Sequence, residues 1–328
     1  MNTEDLFTVN ALTEAVEKLP TAPGRLAPLF PDKGVKTTSI VIELQGGRLV
    51  LVPNTSRNAP GHAVEGGKRK TITLTATHLP LTGTILPEDI QDIRAFGKEA
   101  TDSGLEAQAT VINDKLTQLK QSIETTREYH RVGALAGKVL DADGTTVIYD
   151  LFNEFGVTPI ANNVDFSNAA TNILKAYLDT KRAIEKNANG IAITEVRALC
   201  GSEFFDAMVD HTKVRAAYAG WQAAADRMGG DMRHGFTFGG ITFEEYAGGV
   251  GGIPFIPDDV ALVYPVAANA FVTYNAPANY NEAVNTLGQA WYAKSEPRRM
   301  GKGWDIEVQS NPITLCLWPE CLARLSAA

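Results

Sequence analysis

Cysteine is scarce and poorly spaced for chemistry. Cys200, Cys316 and Cys321 form an odd set with no CxxC pair, which argues against a disulfide framework or a zinc site and leaves buried, reduced thiols as the expectation. Long apolar runs are missing as well. No stretch of about 18 apolar residues occurs, so no membrane-spanning helix is expected. The opening Met1-Asn2-Thr3-Glu4-Asp5 is acidic and carries no signal-type apolar segment, from which synthesis in the cytoplasm without export is expected. A basic excess is also absent. The net charge of -8 argues against tight grip on nucleic acid through phosphate neutralisation, while loose enclosure of DNA remains compatible with it. Five histidines, His62, His78, His130, His211 and His234, include neither an HExxH motif nor an i, i+4 pair. Neither a metal centre nor a catalytic triad is indicated, and each is expected at the surface or partly packed.

What is present is a chain of 328 residues, 44% hydrophobic, able to build two domains or one large one. Residues 1–36 hold one short amphipathic stretch, Leu12 to Leu19, followed by Pro20, Pro23, Pro28 and Pro31. That proline spacing forbids a continuous helix or central strand and predicts an extended arm. Leu26, Leu29 and Phe30 lie between and beside those prolines and need a surface to bury against, so they are candidate contacts with a neighbouring subunit.

From Thr37 to Leu86 the chain makes a paired-strand excursion. Ile40 to Leu44 and Arg48 to Val52 are apolar strands around Gln45-Gly46-Gly47, and Lys70 to Leu79 alternates strictly, with Thr71, Thr73, Thr75 and Thr77 opposite Ile72, Leu74 and Ala76. The tip, Pro53 to Arg69, is rich in Pro, Asn, Ser and Gly and cannot bury its own backbone. Arg57, Lys68, Arg69 and Lys70 cluster there as candidate interface cations, either matched to acids on an adjacent copy or touching nucleic acid.

Pro87, Glu88 and Asp89 predict a helix start, closed by Gly97. Ser103 and Glu106 have capping-box spacing, and Leu105, Ala109, Ile112, Leu116, Leu119, Ile123, Thr126 and His130 continue in steps of four and three. A helix over 104–131 is predicted, about 42 Å long at 1.5 Å per residue. It would have one narrow apolar stripe and a broad polar face, suited to a coiled coil or to lying across a sheet. Gly133 and Gly137 are read as its breakers. A hairpin about Ala142-Asp143-Gly144, a helix over 168–184, helical stretches over 204–209 and 214–225, and a two-residue hairpin at Phe238-Gly239-Gly240-Ile241 follow. Val260 to Val266 and strands near 304–308 and 313–317 complete a mixed pattern with no regular alternation, which favours α+β.

One segment imitates a catalytic motif. Val139-Leu140-Asp141-Ala142-Asp143-Gly144-Thr145 is similar to the first motif of haloacid-dehalogenase-type phosphatases, with Asp141 as nucleophile, Asp143 as acid/base, and Asp258-Asp259 as a metal pair for Mg²⁺. The required buried apolar strand is interrupted by Gly133, Gly137 and Lys138, and the aspartates are expected to shape a turn instead. Gly248, Gly249, Gly251 and Gly252 suggest a phosphate cradle, but without GK[ST] or GxGxxG order a mobile loop is expected.

Taken in order, these segments resemble the lambda-type major capsid protein family of tailed phages, the capsid E family. The resemblance is carried by Arg69-Lys70-Thr71 through His78-Leu79-Pro80, Pro87-Glu88-Asp89-Ile90 with Arg94-Ala95-Phe96-Gly97, Leu140 to Thr145 with Tyr149-Asp150-Leu151-Phe152, Glu154-Phe155-Gly156-Val157, Phe236 to Tyr246, and Gln309-Ser310-Asn311-Pro312. Trp318 departs from it, standing where an arginine is expected before Pro319. The resemblance implies the Hong Kong 97-like fold: an amino-terminal arm (1–36), an extended loop (37–86), a peripheral domain with a spine helix (87–190 and 286–328), and an axial domain (191–285). It further implies a head protein, not an enzyme, that needs no cofactor and assembles with itself into pentamers and hexamers. Their shell would enclose double-stranded DNA without sequence specificity, form in the host cytoplasm, and expand from a precursor. Scaffolding protein or protease, portal and a decorating protein are the implied partners, and no membrane is involved.

Overall fold

The computed structural model describes residues 12, 13, 16, 19, 24–45, 69–90, 103–188, 192–217 and 232–327. They belong to two compact units: residues 1–40, 74–131 and 272–314 in one, and residues 41–73, 132–271 and 315–328 in the other.

The first unit is built on a three-stranded antiparallel sheet. Trp304–Ser310 is its central strand, flanked by Tyr292–Pro297 and Leu79–Ile85, with Trp304 opposite both Pro297 and Ile85. Ile85, Ala293, Ile306 and Val308 are buried against Ile112, Leu116, Leu119 and Ile123 of the helix Ser103–Ala136, together with Leu12 and Val16. The helical stripe therefore meets a sheet, which decides between the two packings that its spacing allows. The segment Leu79–Ile85, expected to belong to the extended loop, is instead a flanking strand of this sheet.

The second unit centres on a six-stranded sheet. Its order is Ile160–Val164, Ala323–Ala327, Val260–Val266, Glu195–Cys200, Ile241–Glu245 and Phe236–Phe238, with the first pair and the 195–200/241–245 pair parallel. The alternating strand face formed by Val196, Ala198, Cys200, Ile241, Phe243, Ala261 and Val263 packs with Tyr177 and Ile184 of the helix Ile173–Asn187 and with Phe204 and Met208 of the helix Ser202–Asp210. Tyr177 lies 4.7 Å from the Phe243 ring and edge-on to Phe238 at 6.1 Å. This sheet joins residues 160–164 and 323–327 to the 195–266 segment, so it crosses the expected line between peripheral and axial parts.

The turns follow their chemistry. Gly239 and Gly240 have φ of 61° and 78°, the doubly positive pair that a two-residue hairpin demands. Asp141 to Gly144 also turns as expected, between Lys138–Leu140 and Val147–Asp150. The long helix, however, runs through Gly133 to Ala136. A side chain at Gly133 would meet the Lys138 carbonyl oxygen at 2.8 Å, so that glycine permits close packing and does not break the helix. The left-handed Gly137, φ 78°, ends it.

Phe243 is fully buried in the second unit's core. Phe243→Ala is expected to lower the unfolding free energy by about 3–5 kcal/mol, while Val250→Ala, at an exposed turn, is expected to stay within about 0.5 kcal/mol. Denaturant titration of the unassembled chain checks both, and equal effects would refute this core assignment.

Candidate functional site

The most elaborate polar constellation lies on the polar face of the long helix. Glu124, Arg127, Glu128 and Arg131 follow i, i+3, i+4, i+7 spacing, which reads as a solvated face. All four are buried, Arg127 to 1% exposure. What covers them includes the segment 24–34. Gly24 begins it, and a side chain there would meet Glu128 Oε2 at 2.1 Å. Pro28 sits in a 3₁₀ turn, Ala27–Leu29, after which Asp32–Gly34 pairs in parallel with Thr273, Tyr274 and Asn275.

The contacts are specific. The Leu26 amide donates to Glu128 Oε1 at 2.8 Å. Arg131 Nη1 donates to Glu124 Oε1 at 2.6 Å and to Glu128 Oε2 at 3.1 Å. Arg127 Nη2 donates to Asp32 Oδ1 at 2.6 Å, and its Nη1 reaches the Ala290 carbonyl at 3.1 Å and Ser310 Oγ at 3.3 Å. Asn275 Nδ2 adds a bond to the same Asp32 oxygen at 2.8 Å. The Arg127 guanidinium lies 4.9 Å from the Trp291 ring centre and Lys120 Nζ 5.4 Å from it, while Lys120 also donates to the carbonyls of Val16 and Leu19 at 2.6 and 3.0 Å.

Burial pulls the Arg127 pKa below the usual arginine value, against the opposing pull of Asp32 and Glu124. At Arg131 burial acts in the same sense, but Glu124 and Glu128 outweigh it and the pKa is raised. Both guanidinium groups stay charged at any physiological pH. The cluster is therefore a mechanical clasp, unsuited to proton transfer, that ties the amino-terminal segment to the helix and to Ala290 and Ser310.

Leu26 and Phe30, expected to meet a neighbouring subunit, are buried within their own unit at 3% and 1% exposure, and Leu29 is half-buried. The clasp explains why: with Leu26 N and Asp32 fixed on the helix, the intervening side chains find cover in the same chain. Arg57 and Lys68 lie outside the described residues. Arg69 and Lys70 begin the strand Arg69–Thr75, in which Ile72 and Leu74 are buried and Thr71, Thr73 and Thr75 exposed, as the alternation requires.

The catalytic imitation is a turn. Asp143 accepts from the amides of Thr145 and Thr146 at 2.9 and 2.8 Å and from Thr146 Oγ1 at 2.5 Å. Those bonds, the Thr146 hydroxyl's first, hold its carboxyl well below the ordinary range, the wrong direction for a general acid. Asp258 and Asp259 are exposed. The glycine loop is a tight hairpin, Val250 paired with Ile253 across left-handed Gly251 and Gly252. His130 and His211 are buried at 1% and 4%, more deeply than the surface or partly packed positions expected. Cys200, Cys316 and Cys321 are buried free thiols, and burial pushes the Cys321 thiol up to about 12. Among the described residues no group of three His, Cys, Asp or Glu could hold a metal ion, and no helix is long and apolar enough to cross a membrane.

A two-unit α+β chain with a long helix laid on a three-stranded sheet has the Hong Kong 97-like fold, which similar solved structures share. A putative capsid protein of a prophage of E. coli CFT073 superposes with a TM-score of 0.62 at 14% identity, over 98% of this chain and 99% of that one. A phage-related protein from Bordetella bronchiseptica RB50 does so with a TM-score of 0.54 at 12% identity, covering 98% and 97%. The family model for phage major capsid protein E matches residues 8–327, and the chain belongs to that family. It is similar to the major capsid protein of Pseudomonas phage KPP10, 29% identical over 98% of this chain and 97% of that protein. The major capsid protein of Salmonella phage Felix O1 is 25% identical over 98% and 96%. The function is thus that of a major capsid protein, a self-associating component of the virion shell.

Glu128 is the carboxylate that both the Leu26 amide and Arg131 use. Glu128→Ala is expected to cost about 1–3 kcal/mol, since the Leu26 amide loses its acceptor and Arg131 loses one of its two carboxylates, and to speed hydrogen exchange at the Leu26 amide selectively. Exchange measured by mass spectrometry checks this; an unchanged Leu26 amide would show that the segment is held by other means.

Proposed function

We propose that this chain works by geometry alone: copies join as pentamers and hexamers that close an icosahedral shell around packaged double-stranded DNA, with no cofactor and no catalytic step. The observation that carries the reading is the ribbon Ser39–Gln45 with Arg69–Thr75, a two-stranded sheet in which Val41 is 60% exposed while Ile40, Ile72 and Leu74 are buried. A two-stranded ribbon is marginal in water and gains stability from a further surface; a neighbouring copy supplies one. Its root is anchored within the first unit, where the Ala76 amide donates to the Thr38 carbonyl at 2.9 Å and Thr77 donates to the Pro312 carbonyl through its amide at 3.1 Å and its hydroxyl at 2.5 Å.

Residues 1–36 act as the arm on this reading, and 37–78 as the extended loop, with Arg57, Lys68, Arg69 and Lys70 matched to acids on the adjacent copy. The first compact unit, with the long helix, is the peripheral part. The axial part takes in 160–164 and 323–327, because those strands belong to the same sheet as 195–266. Each contact is modest, and closure gathers many of them cooperatively. Assembly takes place in the host cytoplasm on a scaffold, with a portal at one vertex, and the precursor shell expands as DNA enters. A protease and a decorating protein complete the set of partners.

Electron microscopy of the concentrated, purified protein is expected to show shells, tubes or capsomer rings, whereas a persistently monomeric protein would refute the reading. Deletion of residues 54–68 is expected to leave a folded chain with an unchanged unfolding midpoint that sediments as small species. Full shell assembly by that variant would remove the loop from the mechanism.

A further inference from the structure

The turn between Tyr292–Pro297 and Trp304–Ser310 carries Arg298, Arg299, Met300, Gly301 and Lys302. All five are exposed, Met300 to 90%, the highest value among the exposed large apolar side chains described. Arg298 Nε sits 3.4 Å from Asp305, whereas Arg299 and Lys302 form no ion pair among the described residues. Three cations thus crowd into five positions of a chain whose net charge is -8.

The turn is also held rigidly. Arg298 N donates to the Gly303 carbonyl at 3.0 Å, and Gly301 N to the Arg298 carbonyl at 3.2 Å. Gly303 has φ of 105°, and a side chain on it would meet the Ile85 carbonyl at 2.1 Å. Met300 adopts φ 63°, ψ 21°, a left-handed conformation that costs a long side chain about 1–2 kcal/mol. That geometry projects an apolar side chain into water from a fixed platform. Strained backbone of this kind is stored at functional positions.

We propose that the 298–302 turn is an inter-subunit contact: Met300 buries against a second copy of this chain while Arg299 and Lys302 pair with that copy's carboxylates. Arg and Met are enriched in protein interfaces, where a rigid platform reduces the ordering cost of association. A phosphate backbone would use the cations but leave Met300 uncovered, and the turn has no aromatic ring on which bases could stack. The chain's acidity supplies complementary charge on its sisters. The inference rests on shell assembly but concerns a segment distinct from the 37–78 loop.

The test places a benzophenone maleimide on Met300→Cys, the native thiols being buried, and irradiates assembled shells with and without DNA. Cross-links to a sister chain, mapped by mass spectrometry and present in both preparations, are expected. Cross-links to DNA, cross-links only within one chain, or none would overturn the proposal. In parallel, Arg299→Glu with Lys302→Glu, both at exposed positions, is expected to keep the unfolding midpoint and raise the critical concentration for assembly about tenfold. An unchanged critical concentration would also overturn it. If unmodified protein forms no shells, the assembly reading itself fails; if it does and the variant matches it, only this contact fails.

Discussion

Much of what positions the amino-terminal segment in the first unit converges on one buried guanidinium. Arg127 is 1% exposed, and its charge is compensated by Asp32, Glu124, the Ala290 carbonyl, Ser310 and the Trp291 face. The partners come from four stretches of chain: Asp32, Glu124 on the same helix, Ala290 with Trp291, and Ser310. Removing the charge of a buried arginine from water costs several kcal/mol before any partner is counted, so a fold that buries one must bring all the partners to the same place. That requirement fixes where residues 24–34 run, and Arg131 with Glu124 and Glu128 repeats it one turn later. An apolar stripe could hold the helix to its sheet with similar strength, but it tolerates sliding; ion pairs with this many directional bonds do not.

For a shell protein that distinction has a consequence. Copies must present their contacting elements in a consistent geometry, since an error in one contact is propagated by all the others. The clasp spends stability on a single register. It also leaves the apolar side chains of the segment, Leu26 and Phe30, buried within their own unit, whereas Val41, Val250, Ile253, Val284, Leu287 and Met300 face solvent.

Much of this was legible in the residues. The alternation through Ile72 and Leu74 predicts their burial, Gly239-Gly240 predicts a hairpin, and the steps from Ile112 to Ile123 predict the helical face that meets the sheet. What was illegible shares a physical cause. Glu124, Arg127, Glu128 and Arg131 read as a solvated face because opposite charges at that spacing usually are; only the fold supplies Asp32, more than ninety positions away, and Trp291 on the far side of the sequence. The strand Ala323–Ala327 pairs with both Ile160–Val164 and Val260–Val266 across long separations that local periodicity cannot sense, so the six-stranded sheet was not legible as one unit. Gly133 looked like a breaker because propensity is local, whereas its role is to admit the Lys138 backbone. The Asp141 to Gly144 segment shows the converse: a familiar run of residues whose setting, a solvent-exposed turn with Asp143 bonded to its own backbone, removes the chemistry.

Asp32 and Arg127, 2.6 Å apart, act on each other rather than merely occupying the same region. A double-mutant cycle with Asp32→Asn, Arg127→Met and the pair, read by denaturant unfolding of the unassembled chain, measures that directly. A coupling of about 1–3 kcal/mol is expected, with the double variant less damaged than the sum of the singles. A coupling indistinguishable from zero, with both single variants still costly, would mean that each residue is needed for its own packing and that no clasp exists.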